Sequence, residues 1–345
     1  MLNQDQIQQL NKLEENTHHT EFKQLAERMT SQGINVEGVL NQLKNLKVAI
    51  PSWALGSGGT RFGRYLFGGA PRNLFEKIED VGLLHQLTAN ADSISLHIPW
   101  DIPKDITAIK EAASAYKLRF DAVNSNTFQD QVDQQYSYKF GSLSHVEKEV
   151  RAQAIAHNKE VIQLGTALGS KSITVWLADG SNFPGQNNFQ TALEHTQNSL
   201  QQITHALPDD WKIFIEYKPY EPHFYSTVIQ DWGTSFLLAN ACGPKAFTLV
   251  DLGHHLPNTN IEQIVATLMM QGKLGGFHFN DSKYGDDDVT VGSIQPYKLF
   301  LIFNELVHGM AKNTNNPHLS WMIDASHNTK DPLEDLLQSL DAILE

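Results

Sequence analysis

The chain has 345 residues, 41% of them hydrophobic, enough to bury a large core as one big α/β domain or as two smaller ones. Its formal charge of −13 and pI near 5.6 argue against a nucleic-acid or anionic-membrane surface, because an acidic field repels phosphates, and favour a neutral or cationic small ligand. Cys242 is the single cysteine, which excludes an intrachain disulfide, and there is neither a basic leader nor a run near the roughly 18 apolar residues of a membrane span, so a soluble cytoplasmic protein is expected.

Residues 3–46 read as polar helix with Leu10, Leu13, Leu25, Ile34, Leu40 and Leu43 at the apolar positions, an extension expected to cap a barrel or a neighbouring subunit. Short apolar, β-branched segments follow at 47–55, 93–101, 118–126, 171–179, 211–219, 247–255, 274–282 and 319–327, and read as strands. Helical periodicity predicts helices near 78–91, 104–117, 143–169, 188–206, 226–242, 260–272, 293–312 and 332–344. Eightfold β-then-α alternation predicts a closed parallel barrel, a (β/α)8 TIM barrel of the α/β class with an N-terminal helical extension. An open doubly wound sheet is the alternative, although no Gly-x-Gly-x-x-Gly turn follows the first strand to support a dinucleotide site. No linker or longer repeat interrupts the pattern, so one domain is expected over 1–345, with the extension at 1–46 and the barrel at 47–345. Two connections exceed plain turns: 57–72, with five glycines and an aromatic cluster, and 124–144, rich in Gln and Tyr. Loops of that length serve as lids, substrate-binding segments or subunit arms.

Metal-ligand residues gather at the C-terminal ends of the later strands, in Glu216-x-Lys218-Pro219, Asp251-x-x-His254, His278-x-x-Asp281, Asp286-x-Asp288 and Asp324-x-x-His327. Parallel barrels carry their active sites on that face. Strand side chains alternate, so Glu216 and Lys218, two apart, point to the same side. The segments offer Glu216, Asp251, His278 and Asp324 for one ion and His254, Asp286 and Asp288 for a second, with Asp251 bridging. Carboxylate-rich, thiol-free ligands favour two divalent six-coordinate cations per subunit, Mn²⁺ first and Co²⁺ or Mg²⁺ as alternatives, with Lys218 offsetting part of the negative charge. Taken singly, the residues have plainer readings: Asp324 as a helix N-cap, His278 as a core histidine, 286–288 as a solvated acidic turn. Together, at the ends of consecutive apolar strands, they resist a purely structural account, because unpaired buried charge is costly.

As an ordered set, Glu-x-Lys-Pro, Asp-x-x-His, His-Phe-Asn-Asp, Asp-x-Asp and Asp-Ala-Ser-His resemble the xylose-isomerase-like barrels, and among them the L-rhamnose isomerases of the broad-specificity Pseudomonas type, over nearly the whole chain. The resemblance implies a structural metal on Glu216, Asp251, His278 and Asp324 and a catalytic one on His254, Asp286 and Asp288. Xylose isomerase itself has a carboxylate where His278 stands, which places the likeness with the rhamnose-type branch. The implied reaction is aldose–ketose isomerisation, L-rhamnose to L-rhamnulose with further activity on D-allose, L-mannose and L-lyxose, by a metal-assisted hydride shift between carbons 1 and 2.

Catalytic roles would fall to His97, Lys218, His254, Asp286, Asp288 and Asp324, with Lys218 stabilising a developing alkoxide and His97, oriented by Asp101, serving the ring oxygen. Substrate contacts would fall to Trp53, Phe62, His97, Trp176, Glu216, Lys218, Asp251, His254 and Asp324; Trp53 and Trp176 would wall the sugar's carbon face or simply pack the barrel. Phe62 matches an aromatic that reaches over a neighbouring subunit's site, implying a homotetramer and a small-molecule sugar as the partner, with neither nucleic acid nor membrane. A ketose 3-epimerase on the same barrel is the alternative; it would use two opposed Glu residues, and here Asp324 fills the second position. A phosphodiesterase on this barrel would call for a basic groove, which the composition opposes. Asp281 and His327 are left without an assigned role.

Overall fold

Helix α1 (Gln4–Ser31) starts at Asn3, whose side chain and that of Gln6 close a reciprocal cap, and α2 (Val36–Asn45) starts at Asn35, which accepts from the Gly38 N–H. The computed structural model describes residues 3–56, 70–221, 224–313, 318–325 and 331–345. Leu10, Leu13 and Leu25 of α1 stay exposed, so these apolar positions do not cover the barrel. The end of α2 is tied down by Asn90, whose amide donates to the carbonyls of Leu43 and Leu46.

Eight strands follow in parallel: β1 (Ala49–Pro51), β2 (Ser93–Ser95, resumed at His97–Ile98), β3 (Arg119–Phe120, resumed at Val123–Ser125), β4 (Ser172–Val175), β5 (Lys212–Glu216), β6 (Ala246–Asp251), β7 (Leu274–Phe279) and β8 (Ser320–Ile323). After them in turn come α3 (Leu74–Thr88), α4 (Ile106–Ala115), α5 (Lys148–Leu168), α6 (Phe189–Thr204), α7 (Trp232–Cys242), α8 (Ile261–Met270), α9 (Pro296–Lys312) and α10 (Pro332–Leu344). Each strand pairs with the next, and β8 returns to β1 through Met322 opposite Ala49. Breaks in β2 and β3 leave the ring intact, because each half of β2 pairs its own half of β3. The result is the expected (β/α)8 barrel with its helical extension.

Helix starts follow local chemistry: Asn73, Asp105, Asn188, Asp231 and Asp331 each accept a backbone N–H of the first turn. The helix predicted from 226 begins only at Trp232, since Ser226–Thr227 pairs antiparallel with Gly180–Ser181. That pairing needs a bare Cα at Gly180, where a Cβ would lie 2.3 Å from Ser226 O. The strands end earlier than predicted, because their polar tails leave the ladder and become the loops of the barrel mouth. No helix among the described residues is long and apolar enough to cross a membrane.

Strand alternation decides what faces the axis. Ala122, Phe214, Phe247 and Leu249 form a small cluster apart from the main core, an apolar floor to which each buried Phe or Leu contributes about 1.5–3 kcal/mol. Two residues beyond Phe214 and Leu249, on the same faces of β5 and β6, come Glu216 and Asp251. On β7, Phe277 and Phe279 stack on Trp321 at 5.7 and 5.9 Å, and Phe279 on Phe303 of α9, so His278 between them points to the opposite face. Charged groups are thereby seated above an apolar plug.

Candidate active site

Four side chains from four successive strands meet at the C-terminal mouth. Glu216 and Asp251 end β5 and β6, His278 is next to last in β7, and Asp324 follows β8. Register sets them side by side: Asp251 pairs with His278, Glu216 with Leu249, and His278 with Met322. His278 Nδ1 lies 3.3 Å from Glu216 Oε1, 3.2 Å from Asp324 Oδ2 and 3.8 Å from Asp251 Oδ2. Nδ1 is buried and makes an in-line hydrogen bond to none of them. The four ligand atoms all lie within 4.8 Å of one another, which fits ligands placed about 2.0–2.2 Å around a shared divalent cation.

His254 extends this set: its Nδ1 is 3.1 Å from Glu216 Oε1 and its Nε2 2.9 Å from Asp286 Oδ1. Glu216 Oε1 lies between the two imidazoles, and Asp251, the bridge expected from the sequence, approaches His278 Nδ1 through Oδ2 at 3.8 Å. Asp251 Oδ1 is taken by the Gly253 N–H at 2.7 Å and the Asn280 amide at 3.0 Å. Lys218 Nζ donates to Asp286 Oδ2 and forms an ion pair with Glu221 Oε2, each at 2.6 Å, and lies 5.2 Å from the Trp176 ring centroid. Two backbone hydrogen bonds between Asp281 and Val289 close the base of the loop that presents Asp286 and Asp288. Within it Gly285, Asp286 and Asp288 have φ of +129°, +55° and +50°, left-handed backbone that Gly and Asp tolerate best.

Burial opposes every charge here, and the partners decide the outcome. It pushes the Glu216 carboxyl up, but His278 and His254 outweigh it and leave the group well below the usual carboxylate range. It favours neutral imidazoles, yet Asp251 and Asp286 beside His254, and Glu216 and Asp324 beside His278, hold both rings well above their ordinary value. Asp251 is pushed up to about 6 by burial, with Glu216 and Asp324 adding to it. Burial and the charges of Asp286, Asp324 and Asp251 lift Asp288 well above the usual range, which ties it electrostatically to both sets. Carboxylates this crowded recruit protons, and divalent cations would replace those protons.

The first four strands supply a facing half built of aromatics. Trp53 and His97 lie edge to face at 5.4 Å, His97 stacks on Trp100 at 3.9 Å, and Phe128 stands edge-on to His97 at 5.6 Å and to Trp176 at 4.6 Å. Trp53 also donates from Nε1 to Asp324 Oδ1 at 2.8 Å. Asp101, expected to orient the His97 ring, accepts from the His97 backbone N–H at 3.0 Å and from Ser52 and Lys77. Trp100 and Phe128 were not singled out by sequence reading; for Phe128 the one signal was the length of the connection that contains it.

Asp281 stands apart from the ligands. Its Oδ2 accepts from the N–H groups of Ile294 and Gln295, each at 2.7 Å, and so caps α9, whose own N-cap residue makes no side-chain cap. Asp324 is free of the capping role, since Asp331 caps α10 by accepting from the Leu333 N–H. Phe62 and His327 lie outside the described residues.

The family described as xylose isomerase-like TIM barrel matches residues 87–293. A "Probable sugar isomerase" of Rhizobium meliloti (strain 1021) is 55% identical over 319 residues, covering 92% of this chain and 74% of the relative. A second relative of that name, from Mesorhizobium japonicum, is 53% identical with the same coverage. Among solved structures, D-allulose 3-epimerase from Methylomonas sp. in complex with D-allulose superposes with a TM-score of 0.63 at 13% identity, covering 86% of this chain and 94% of that one, a likeness of fold alone.

Proposed function

We propose, from the premise that the chain belongs to the xylose isomerase-like TIM barrel family, that it is a metal-dependent aldose–ketose isomerase of the L-rhamnose isomerase type, acting on L-rhamnose and also on D-allose, L-mannose and L-lyxose. The observation that carries this reading is the adjacency of two ligand sets, Glu216, Asp251, His278 and Asp324 beside His254, Asp286 and Asp288, with Lys218 bound to Asp286 at 2.6 Å. A 3-epimerase with one cation and two opposed acid–base carboxylates would have no use for the second set or for Lys218.

When bound, divalent cations, Mn²⁺ first, supply Lewis acidity to the adjacent oxygens at sugar carbons 1 and 2. Lys218, held between two carboxylates, presents fixed positive charge to the oxygen that becomes anionic. His254, Asp286 and Asp288 would hold the second cation, whose charge would ease loss of the hydroxyl proton. His97 serves the ring oxygen during opening, and Trp53, Trp176 and Phe128 exclude water from the sugar's carbon face. Hydrogen then moves between the two carbons as a hydride, without a protein base at carbon. The reading includes one domain per chain and a homotetramer in which the Phe62 segment reaches a neighbouring site.

The test is incubation of the metal-stripped, Mn²⁺-reloaded protein in D2O with a panel of aldoses and, separately, of ketoses, followed by NMR of the products. Ketose from L-rhamnose is expected, without solvent deuterium at carbon 1 or 2. No ketose from any aldose, with a ketose converted to its carbon-3 epimer instead, would replace this reading with the epimerase.

A further inference from the structure

Asn280 is 2% exposed and follows the last residue of β7, between the two ligand sets. Its Nδ2 donates to Asp251 Oδ1 at 3.0 Å, and because a carboxylate only accepts, this contact fixes the orientation of the amide. The amide oxygen is therefore turned away from Asp251, where it is buried and accepts no hydrogen bond. Native interiors rarely retain such an acceptor without a reason. It faces Gly253, where an added Cβ would lie 3.1 Å from Asn280 Oδ1, 3.3 Å from Asp286 N and 3.4 Å from Asp251 Oδ1. The Gly253 N–H donates to Asp251 Oδ1 at 2.7 Å, and the Gly253 carbonyl accepts from the Asp286 N–H at 2.9 Å. One glycine without a side chain thus links a ligand of the first set to a ligand of the second, and Asn280 packs against the link.

We propose that Asn280, acting with Gly253, is a positioning residue that couples the two cation sites, holding Asp251 with Oδ2 toward His278 and setting the Asp286 loop, without being a ligand itself. The inference rests on the cation sites proposed above. Oriented this way, Asp251 offers one oxygen to the cation while the other is committed to protein donors. Loss of an outer-shell partner of this kind weakens metal binding by about 10–100-fold.

The test is calorimetric titration of the metal-stripped full chain with Mn²⁺ for the wild type, Asn280→Leu, Asn280→Asp and Gly253→Ala, with the melting temperature of each metal-stripped protein as the structural control. Both Asn280 variants are expected to bind Mn²⁺ about 10–100-fold more weakly at both sites while melting close to the wild type. Asn280→Asp separates the roles: a new carboxylate tightens binding if position 280 is a ligand, and weakens it if the residue serves to donate to Asp251. Tighter binding by Asn280→Asp, unchanged binding by both variants, or weakening confined to one site overturns the proposal. If the Asn280 variants fail to fold, Gly253→Ala probes the same link with one methyl group, and unchanged affinity there overturns it equally. A wild type that takes up no Mn²⁺ removes the cation sites themselves, whereas wild-type uptake with unaltered variants removes only the coupling.

Discussion

Trp53 Nε1 donates to Asp324 Oδ1 across 2.8 Å, and this bond joins the aromatic half of the mouth to the ligand half. The Asp324 backbone is tied to Phe279 O at 2.8 Å, and the indole fixes the carboxylate so that Oδ2 faces His278. Trp53→Phe keeps an aromatic wall and removes the donor. Mn²⁺ binding, measured by calorimetry, is expected to weaken roughly 10-fold, the low end for a lost outer-shell partner. Unchanged Mn²⁺ affinity with weaker sugar binding would restrict Trp53 to the wall.

Stability should respond to pH in opposite senses with and without metal. Burial opposes charging His254 and His278, but Asp251, Glu216 and their neighbours hold both above the ordinary 6.5, so the folded chain keeps protons that the unfolded chain releases. Their stabilisation is complete below 6.5 and is lost as pH rises through the folded values. Asp251, raised from 3.8 to about 6, acts in the same sense between those values. Glu216, lowered from 4.5, contributes above that value and loses its contribution in acid. The metal-stripped chain should therefore melt higher at about pH 6 than at about pH 9, while the gain on adding Mn²⁺ grows over the same interval, because binding displaces those protons. Scanning calorimetry with and without Mn²⁺ checks this; a metal-stripped melting temperature rising toward pH 9 contradicts it.

The barrel was legible because period-two burial writes itself into short apolar runs, and each run sits between Gly, Pro, Asn or Asp breakers. Glu216, Asp251 and His278 were legible as a set because each interrupts such a run at its end. Asp281 was grouped with them on spacing alone, which shows strand-end position but not that its carboxylate turns to the α9 N–H groups 13 and 14 residues on. Which Asp251 oxygen Gly253 and Asn280 occupy is a three-dimensional fact with no sequence signature. Phe128 was concealed for a related reason: the connection around it is organised by contacts such as Asp179 accepting from Ser142 and Ser144, and such packing has no period.

Gly285→Ala tests whether the second ligand set depends on the loop's backbone. At φ +129° any side chain is strained, and a Cβ would lie 1.5 Å from Tyr220 Oη, so the loop or the tyrosine must move. Asp286, one residue on, would lose its alignment with His254 and Lys218, whereas the first set is built on other segments. Calorimetry should show the second site weakened by at least about 10-fold and the first by less, through the Gly253–Asp286 link alone. Equal weakening of both would mean that the loop supports the first set as well.

Lys218 offers the sharpest kinetic test of the proposed chemistry. Burial disfavours its charge, but Asp286 and Glu221 outweigh burial and hold its pKa above the ordinary value, so the ammonium stays charged throughout any practical assay range. Lys218→Met should lower kcat with L-rhamnose by about 10²–10³-fold, the effect of removing one preorganised stabiliser of developing negative charge. KM should change far less, and Mn²⁺ affinity should hold or increase, because Asp286 loses a competing cation. Lys218→Arg should not restore kcat, since a planar guanidinium cannot occupy a point position between two carboxylates at 2.6 Å. Glu221→Gln supplies the control: it removes one carboxylate but leaves the ammonium held by Asp286, so its loss in kcat should stay below about 10-fold if charge at the sugar is what matters. Equal losses in Lys218→Met and Glu221→Gln would instead assign the pair to holding the turn after β5, and the positive charge would drop out of the mechanism.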